Sequence, residues 1–151
     1  MYGPFFFAEE TVASKKYLDM LQLWLMPQLQ NIPTFIFQQD RSPAHFHCEV
    51  RQYLSTLLPG RWIGRASGND QPLLLWPTRS ADITPCDFFL WGYVKYRIFV
   101  PLLSRDLAEL KARIIATVKN IDAPMLKRVW QELEYRIDVC RVTHGAHIEH
   151  F

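Results

Sequence analysis

Three acidic residues stand just beyond two apolar runs: Asp40 after "TFIFQ" (34–38), and Asp82 and Asp87 after "LLLW" (73–76). The carboxyl end of a strand is where an α/β sheet collects functional groups, because the rigid strand holds a side chain at the rim of the core. Carboxylates delivered from separate strand ends suit Mg²⁺ or Mn²⁺, hard cations that prefer oxygen ligands. A two-ion site of that kind activates an attacking oxygen and stabilises a leaving one in phosphoryl transfer. Each acid also has a plain structural reading. Thr84-Pro85-Cys86-Asp87 has the form of a capping box with Asp in place of Glu, which would set Asp87 to satisfying backbone donors at a helix start. Asp40, close to Ser42-Pro43, fits a turn former. Asp82, within "RSADITP", fits a loop residue that bonds its own backbone.

Other chemistry-bearing residues are more scattered. His45 and His47 are expected on opposite faces of a helix start, in structural or substrate-facing roles rather than as zinc ligands. His144, His147 and His150, with Cys140 nearby, have metal-binding side chains, but "THGAHIEH" contains Gly145 and reads as a solvated terminus. Arg51, Arg61, Arg65, Lys95 and Arg97 flank the acids, with Trp62, Trp91 and Tyr96 interleaved. That pattern suits phosphate contacts and base stacking, and equally an ordinary charged surface around an aromatic core.

The elements that must position these residues follow from periodicity. Residues 2–8 read as a short strand, and Thr11 to Gln30 as a helix whose broad apolar face runs through Tyr17, Leu18, Leu21, Leu23, Trp24, Leu25 and Leu29. Pro33 resets the backbone, and β-branched and aromatic residues make 34–38 a buried strand ending just before Asp40. Ser42-Pro43 predicts the cap and first turn of a helix running to the Pro59-Gly60 stop. Short strands at 61–64 and 73–76 bracket a polar turn, 65–72. Thr84-Pro85 starts another helix. Leu107, Leu110, Ile114, Ile115, Val118 and Ile121 keep helical spacing, as do Leu126, Val129, Trp130, Leu133, Ile137 and Cys140, with Asp122-Ala-Pro as a cap and restart between them. The order β, α, β, α, β, β, α, α, α predicts an α/β domain with helical additions.

Bulk properties bound the rest. The chain has 151 residues and 49% apolar side chains, enough for one ordinary domain and too many for a disordered segment. Its 17 Lys and Arg against 15 Asp and Glu leave a net charge of +2, so binding to nucleic acid or an anionic membrane would have to come from local patches. Three separated cysteines, Cys48, Cys86 and Cys140, without CxxC spacing, suit free thiols in a reducing compartment. The apolar run of "MYGPFFFAEE" is too short for a signal peptide or spanning helix, so a soluble, intracellular protein is expected. Phe5 to Phe7 look like a strand already under way, which hints at a truncated domain.

Together, "FQQDRSPAHF" and "WPTRSADITPCDFFLWG" closely resemble the catalytic domain of mariner/Tc1-type transposases, the insect mariner-like group in particular. That family's second catalytic acid lies in an Asp-x-x-Pro-x-His motif, matched by Asp40, Pro43 and His45. Its third lies in Ser-Pro-Asp-Leu-x-Pro-x-Asp/Glu followed by an aromatic or Leu-Trp-Gly segment, matched by Ser80, Asp82, Pro85, Asp87 and Leu90-Trp91-Gly92. The resemblance extends over essentially the whole chain, including "GPFFFAEETV" and "YLDMLQLWLMPQL".

The resemblance implies an RNase H-like fold in which three carboxylates hold two Mg²⁺ (or Mn²⁺) ions for cutting DNA strands and joining them to a target. Asp40 and Asp87 would be the catalytic metal ligands, and Asp82 a motif loop residue. His45, Arg51, Arg61, Arg65, Lys95 and Arg97 become nucleic-acid candidates. The sequence departs from the family in a longer Asp40–Asp87 interval, with the surplus in "GRASGNDQPLL", in Ala44 and Ala81 where Pro is common, and in Arg41, whose guanidinium would compete with a metal for Asp40. The family's first catalytic Asp and its DNA-reading helix-turn-helix region precede the segment where this chain begins. The expected fold class is therefore α/β, RNase H-like and incomplete, lacking the first strands, with C-terminal helices. Residues 1–103 would form the partial catalytic domain and 104–151 a helical extension packed on it. The expected function is that of a truncated transposase-derived domain that binds DNA, metal-weakened and inactive alone. Its partners would be DNA and a second copy or a full-length transposase, with no membrane, in the nucleus or otherwise the cytoplasm. The alternative is a non-catalytic interaction or dimerisation module built on the C-terminal helices.

Overall fold

The computed structural model describes residues 2–75, 83–101 and 103–142. The chain divides into two compact units, Phe6–Pro77 with Tyr2, and Thr78–Phe151 with Gly3–Phe5. Asp82 and the histidines of the C-terminal tail lie outside the described residues.

The first unit begins with helix α1 (Ser14–Met20), which passes through a π turn at Leu21–Leu25 into α2 (Met26–Leu29). Pro27 explains the change of winding: it has no N–H to close an i→i−4 bond, so the carbonyls of the preceding turn need other donors. The Gln28 side chain supplies one, donating from Nε2 to the Trp24 carbonyl at 2.7 Å. Strand β1 (Phe37–Gln38) leads by way of helix α3 (Cys48–Leu57) to β2 (Trp62–Gly64), and a polar loop leads on to β3 (Leu74–Leu75). The sheet order is β1-β2-β3 and both pairs are parallel, with Phe37 opposite Trp62 and Ile63 opposite Leu74. Because the strands run the same way, their carboxyl ends share one edge, and Asp40 lies on it. Gly60, at φ +65°, makes the turn out of α3 that a residue with a Cβ would resist.

Apolar side chains close over this unit from both helices and the sheet. Leu21, Val50, Leu54 and Trp62 are fully buried, joined by Tyr17, Met26, Ala44 and Leu58, with Phe7, Phe35 and Phe37 packed against them.

In the second unit a π turn at Cys86–Leu90 runs into α4 (Trp91–Ile98), followed by α5 (Leu107–Lys119) and α6 (Ala123–Val142). Val94 and Ile98 of α4 pack on Val118 of α5. Asp106 caps α5 by accepting from Glu109 N at 2.7 Å, while Glu109 accepts from Arg105 N at 2.9 Å, a reciprocal arrangement. Asp122 accepts from Met125 N at 2.8 Å at the start of α6, the cap expected from Asp122-Ala-Pro.

The local differences from expectation have physical causes. No strand forms at residues 2–8, where Gly3 sits at φ +98° and Phe7 turns onto the core. The helix expected from Ser42 starts only at Cys48, because the intervening residues form a separate turn, with His45 N bonded to Ser42 O. The carbonyls of His45 and Phe46 are taken by the side chains of Gln39 and Arg51 instead of by a helix ladder. The strand expected at 73–76 forms at Leu74–Leu75 among the described residues, at the edge of the sheet, and Leu73, Leu74 and Leu75 are 44%, 60% and 68% exposed.

Leu54→Ala removes a fully buried side chain at the centre of the first unit. It is expected to destabilise that unit by about 2–5 kcal/mol, and Leu57→Ala, at a half-exposed position on the same helix, by less than about 1 kcal/mol. Urea unfolding followed by near-UV circular dichroism compares the two.

Candidate functional site

Asp40 follows β1 by two residues, and its carboxylate is used unevenly. Oδ1 accepts from Ser42 N at 2.9 Å, which makes the turn that the sequence suggested. The same oxygen lies 2.5 Å from His45 Nδ1. That nitrogen is buried and not aligned for a regular hydrogen bond, so the contact is one of close packing rather than a directed N–H···O. Oδ2 has no partner among the described residues, and the Asp40 side chain is 46% exposed. One oxygen is thus fixed by the loop while the other faces outward. Arg41 is exposed and makes no ion pair with Asp40 among the described residues, so the competitor for Asp40 is His45 and not the neighbouring guanidinium.

His45 is held in turn. Its ring lies 4.1 Å from the Tyr17 ring, centroid to centroid, tilted by 37°. It is not on a helix face, as expected, but in the turn before α3. His47 is exposed, 3.7 Å from the Glu49 carboxylate.

Beneath the pair sits Gln39, which is 4% exposed. Its Oε1 accepts from Tyr17 OH at 3.2 Å, and its Nε2 donates to the His45 carbonyl at 3.2 Å. The amide therefore joins α1, the end of β1 and the turn after Asp40. It fits because the neighbouring strand has a glycine: a Cβ on Gly64 would come 2.9 Å from Gln39 Cγ and 3.1 Å from the Trp62 ring. Burial raises the Tyr17 hydroxyl above its ordinary 10.0, and the Asp40 charge adds to the shift, since a phenolate there would be both desolvated and repelled.

The loop after β2 fastens the same turn from the other side. Arg51 Nε donates to Asp70 Oδ2 at 2.7 Å, with the two side chains only 14% and 9% exposed. Asp70 also accepts from Ser67 N at 2.7 Å, and Arg51 NH1 bonds the Phe46 carbonyl. The Phe46 ring carries two guanidinium groups, Arg51 at 4.4 Å and Arg65 at 3.8 Å. Arg51 is therefore committed inside the protein. Arg61 donates to the Pro33 carbonyl at 3.0 Å beside Phe35, and Arg65 remains exposed over Phe46. Trp62 is fully buried, so its ring belongs to the core and not to a stacking surface.

In the second unit Asp87 lies in the first turn of the Cys86–Leu90 segment, exposed and without a partner among the described residues. It makes no cap. The turn is closed by backbone instead, Asp87 N and Phe88 N both donating to the Thr84 carbonyl, while Thr84 Oγ1 is buried without a partner. Lys95 and Tyr96 are exposed on α4, Trp91 is 53% exposed, and Arg97 lies over the Tyr93 ring at 4.8 Å.

Among the described residues, no three or more His, Cys, Asp or Glu side chains gather to hold a metal ion. Taken singly, the free Oδ2 of Asp40 and the unpaired carboxylate of Asp87 fit a hard divalent cation, which takes outward-facing carboxylate oxygens and completes its shell with water. Tyr17, Gln39, Gly64 and Asp70 were not singled out from the sequence. Gln39 had a signal: a period of two along 35, 37 and 39 puts it on the inward face with Phe35 and Phe37.

No family model matches the sequence, and no curated protein matches it. Among solved structures, the chain is similar to the Mos1 transposase catalytic domain, in a structure with raltegravir and Mn. The TM-score is 0.68 at 21% identity, covering 93% of this chain and 67% of that one. The likeness shows the fold: an RNase H-like α/β arrangement, here with a small parallel sheet and helices, as the motifs around Asp40 and Asp87 implied. No helix among the described residues is long and apolar enough to cross a membrane.

Gly64→Ala is expected to displace Gln39 and destabilise the first unit by about 1–3 kcal/mol, with a shift of the His45 ring resonances in NMR spectra that an exposed Gly68→Ala does not cause. Tyr17 gives a second test. Its folded-state ionisation is raised, so its contribution to stability is complete below pH 10.0 and is lost as pH rises above that value. Denaturant midpoints measured from neutral to alkaline pH should fall above about pH 10 in the wild type, with a shallower fall in Tyr17→Phe.

Proposed function

We propose that the chain is a mariner/Tc1-type transposase-derived domain that binds DNA, and that its ancestral chemistry is metal-dependent strand cleavage and transfer. The observation that carries this reading is the RNase H-like likeness over 93% of the chain, joined to an Asp-x-x-Pro-x-His motif whose Asp40 sits at the carboxyl edge of the parallel sheet. Asp40 and Asp87 are the catalytic acids of that chemistry and offer carboxylate oxygens to Mg²⁺ or Mn²⁺. Such an ion, when bound, polarises a phosphoryl oxygen and lowers the pKa of an attacking water. Asp40 presents Oδ2, with Oδ1 tied to the turn; His45 and Ser42 set its orientation. With Oδ1 engaged by Ser42 N and crowded by His45, Asp40 offers a cation a single oxygen, and on this reading the domain binds metal weakly and does not cut DNA alone.

Phosphate contacts fall to Arg61, Arg65, Lys95 and Arg97, while Arg51 acts by holding the Phe46 turn against Asp70. The likeness to that family favours action in the nucleus. A second reading, a dimerisation module on the C-terminal helices, is favoured by one observation: α6 exposes Trp130 and Tyr135 by more than half.

Fluorescence anisotropy with duplex DNA separates the two. Affinity should fall roughly a hundredfold between about 50 and 200 mM salt if about four phosphates are contacted, and Arg65→Ala or Lys95→Ala should each reduce the salt slope by about one. A dimer in sedimentation that ignores DNA would support the second reading. Mg²⁺-dependent nicking that disappears in Asp40→Ala would overturn inactivity alone while leaving the DNA-binding assignment intact.

A further inference from the structure

In the second unit a cavity of about 320 Å³ opens between the π turn that carries Asp87 and the outer turns of α6. That volume is at the lower end of the range for small-ligand sites. Its apolar wall includes Phe88, Phe89 and Met125, and Arg128, Glu132 and Arg136 supply the polar groups. Phe89 is braced by stacking on Tyr93, ring centroids 5.5 Å apart. Arg136 covers the Phe88 ring at 4.6 Å and donates from Nε to Glu132 Oε1 at 2.7 Å. The second oxygen of Glu132 has no partner among the described residues, and Arg128, one turn earlier on α6, is exposed and equally unpartnered.

This combination narrows the ligand. A simple phosphate or carboxylate would meet the negative Glu132. A purely apolar ligand would desolvate two guanidinium groups and a carboxylate without replacing their hydrogen bonds. A flat heteroaromatic ring with donors and acceptors along its edge satisfies all of them, with its face on the aromatic wall and its edge on Glu132 and Arg136. An attached phosphate then meets Arg128. We propose that this cavity, whose Phe88 is next in the chain to Asp87, binds a single unpaired nucleobase of a DNA strand, its phosphate held by Arg128. The inference rests on the DNA-binding reading above. Stacking is tolerant of base identity, so the site selects an unpaired base rather than a sequence, and a base already unpaired costs no disruption of a duplex.

The test uses the full chain and two probes, a fully paired duplex and the same duplex with one unpaired 2-aminopurine. Binding about tenfold tighter to the second probe, with quenching of the 2-aminopurine emission, is expected. Arg128→Gln, at an exposed position that folding does not need, should remove most of the preference with duplex affinity little changed, and Phe88→Leu should remove the quenching. Binding of both probes with equal affinity, or a preference that survives both substitutions, would overturn the nucleobase site and leave DNA binding standing. Failure of both probes to bind would overturn the site and the DNA-binding reading together.

Discussion

A buried amide, that of Gln39, joins three parts of the first unit that would otherwise meet only through apolar contact. Its oxygen takes the Tyr17 hydroxyl from α1, its nitrogen holds the His45 carbonyl, and its backbone N–H bonds Ile63 of β2 at 2.9 Å. An amide so deeply buried is costly unless its groups are paired, and here each side-chain atom has a partner in a different element. The arrangement therefore specifies one position for the turn after Asp40, where packing alone would accept several. Gly64 is part of the same constraint, because any side chain at that position would occupy the space of Gln39.

The polar loop between β2 and β3 has a comparable role, although its composition suggests only solvated chain. Asp70 is oriented by Ser67 N and accepts Arg51, whose guanidinium also bonds the Phe46 carbonyl and covers its ring. The pair is too shielded to be treated as an ordinary surface ion pair. Loss of one partner would leave a nearly buried charge, an effect of about 3–5 kcal/mol, far above the worth of exposed pairs. Residues of the loop between β2 and β3 thus brace the turn that follows Asp40.

The sequence made the helices of the second unit readable because their apolar spacing and caps are local: Asp106 and Asp122 act within three residues of themselves. The sheet was readable in order but not in extent, since β1 and β3 are two residues long and their boundaries depend on pairing with β2 rather than on propensity. The start of α3 was misplaced for a similar reason. Ser42-Pro43 is a sound local cap signal, but the carbonyls that would begin the helix are claimed by Gln39 and Arg51 from distant positions in the chain. Within the candidate site, Asp40, Asp87 and His45 are the residues to which the motifs point. The supports, Tyr17, Gly64 and Asp70, were not, because each acts across the fold at a position where its residue type has a commoner explanation: core aromatic, strand glycine, turn former.

Structural and functional readings of Asp40 are often set against each other, yet its two oxygens remove the conflict. A carboxylate that served only as a turn former would need one acceptor, and Ser42 N satisfies it through Oδ1. The geometry that does so also fixes the carboxyl plane and leaves Oδ2 at a half-exposed position, so turn formation orients the free oxygen instead of consuming it. Asp87 reaches a similar state by another route: the Thr84 carbonyl closes the turn through backbone donors, and the side chain is released from capping. In both places the backbone's needs are met without the oxygen that a hard cation would take.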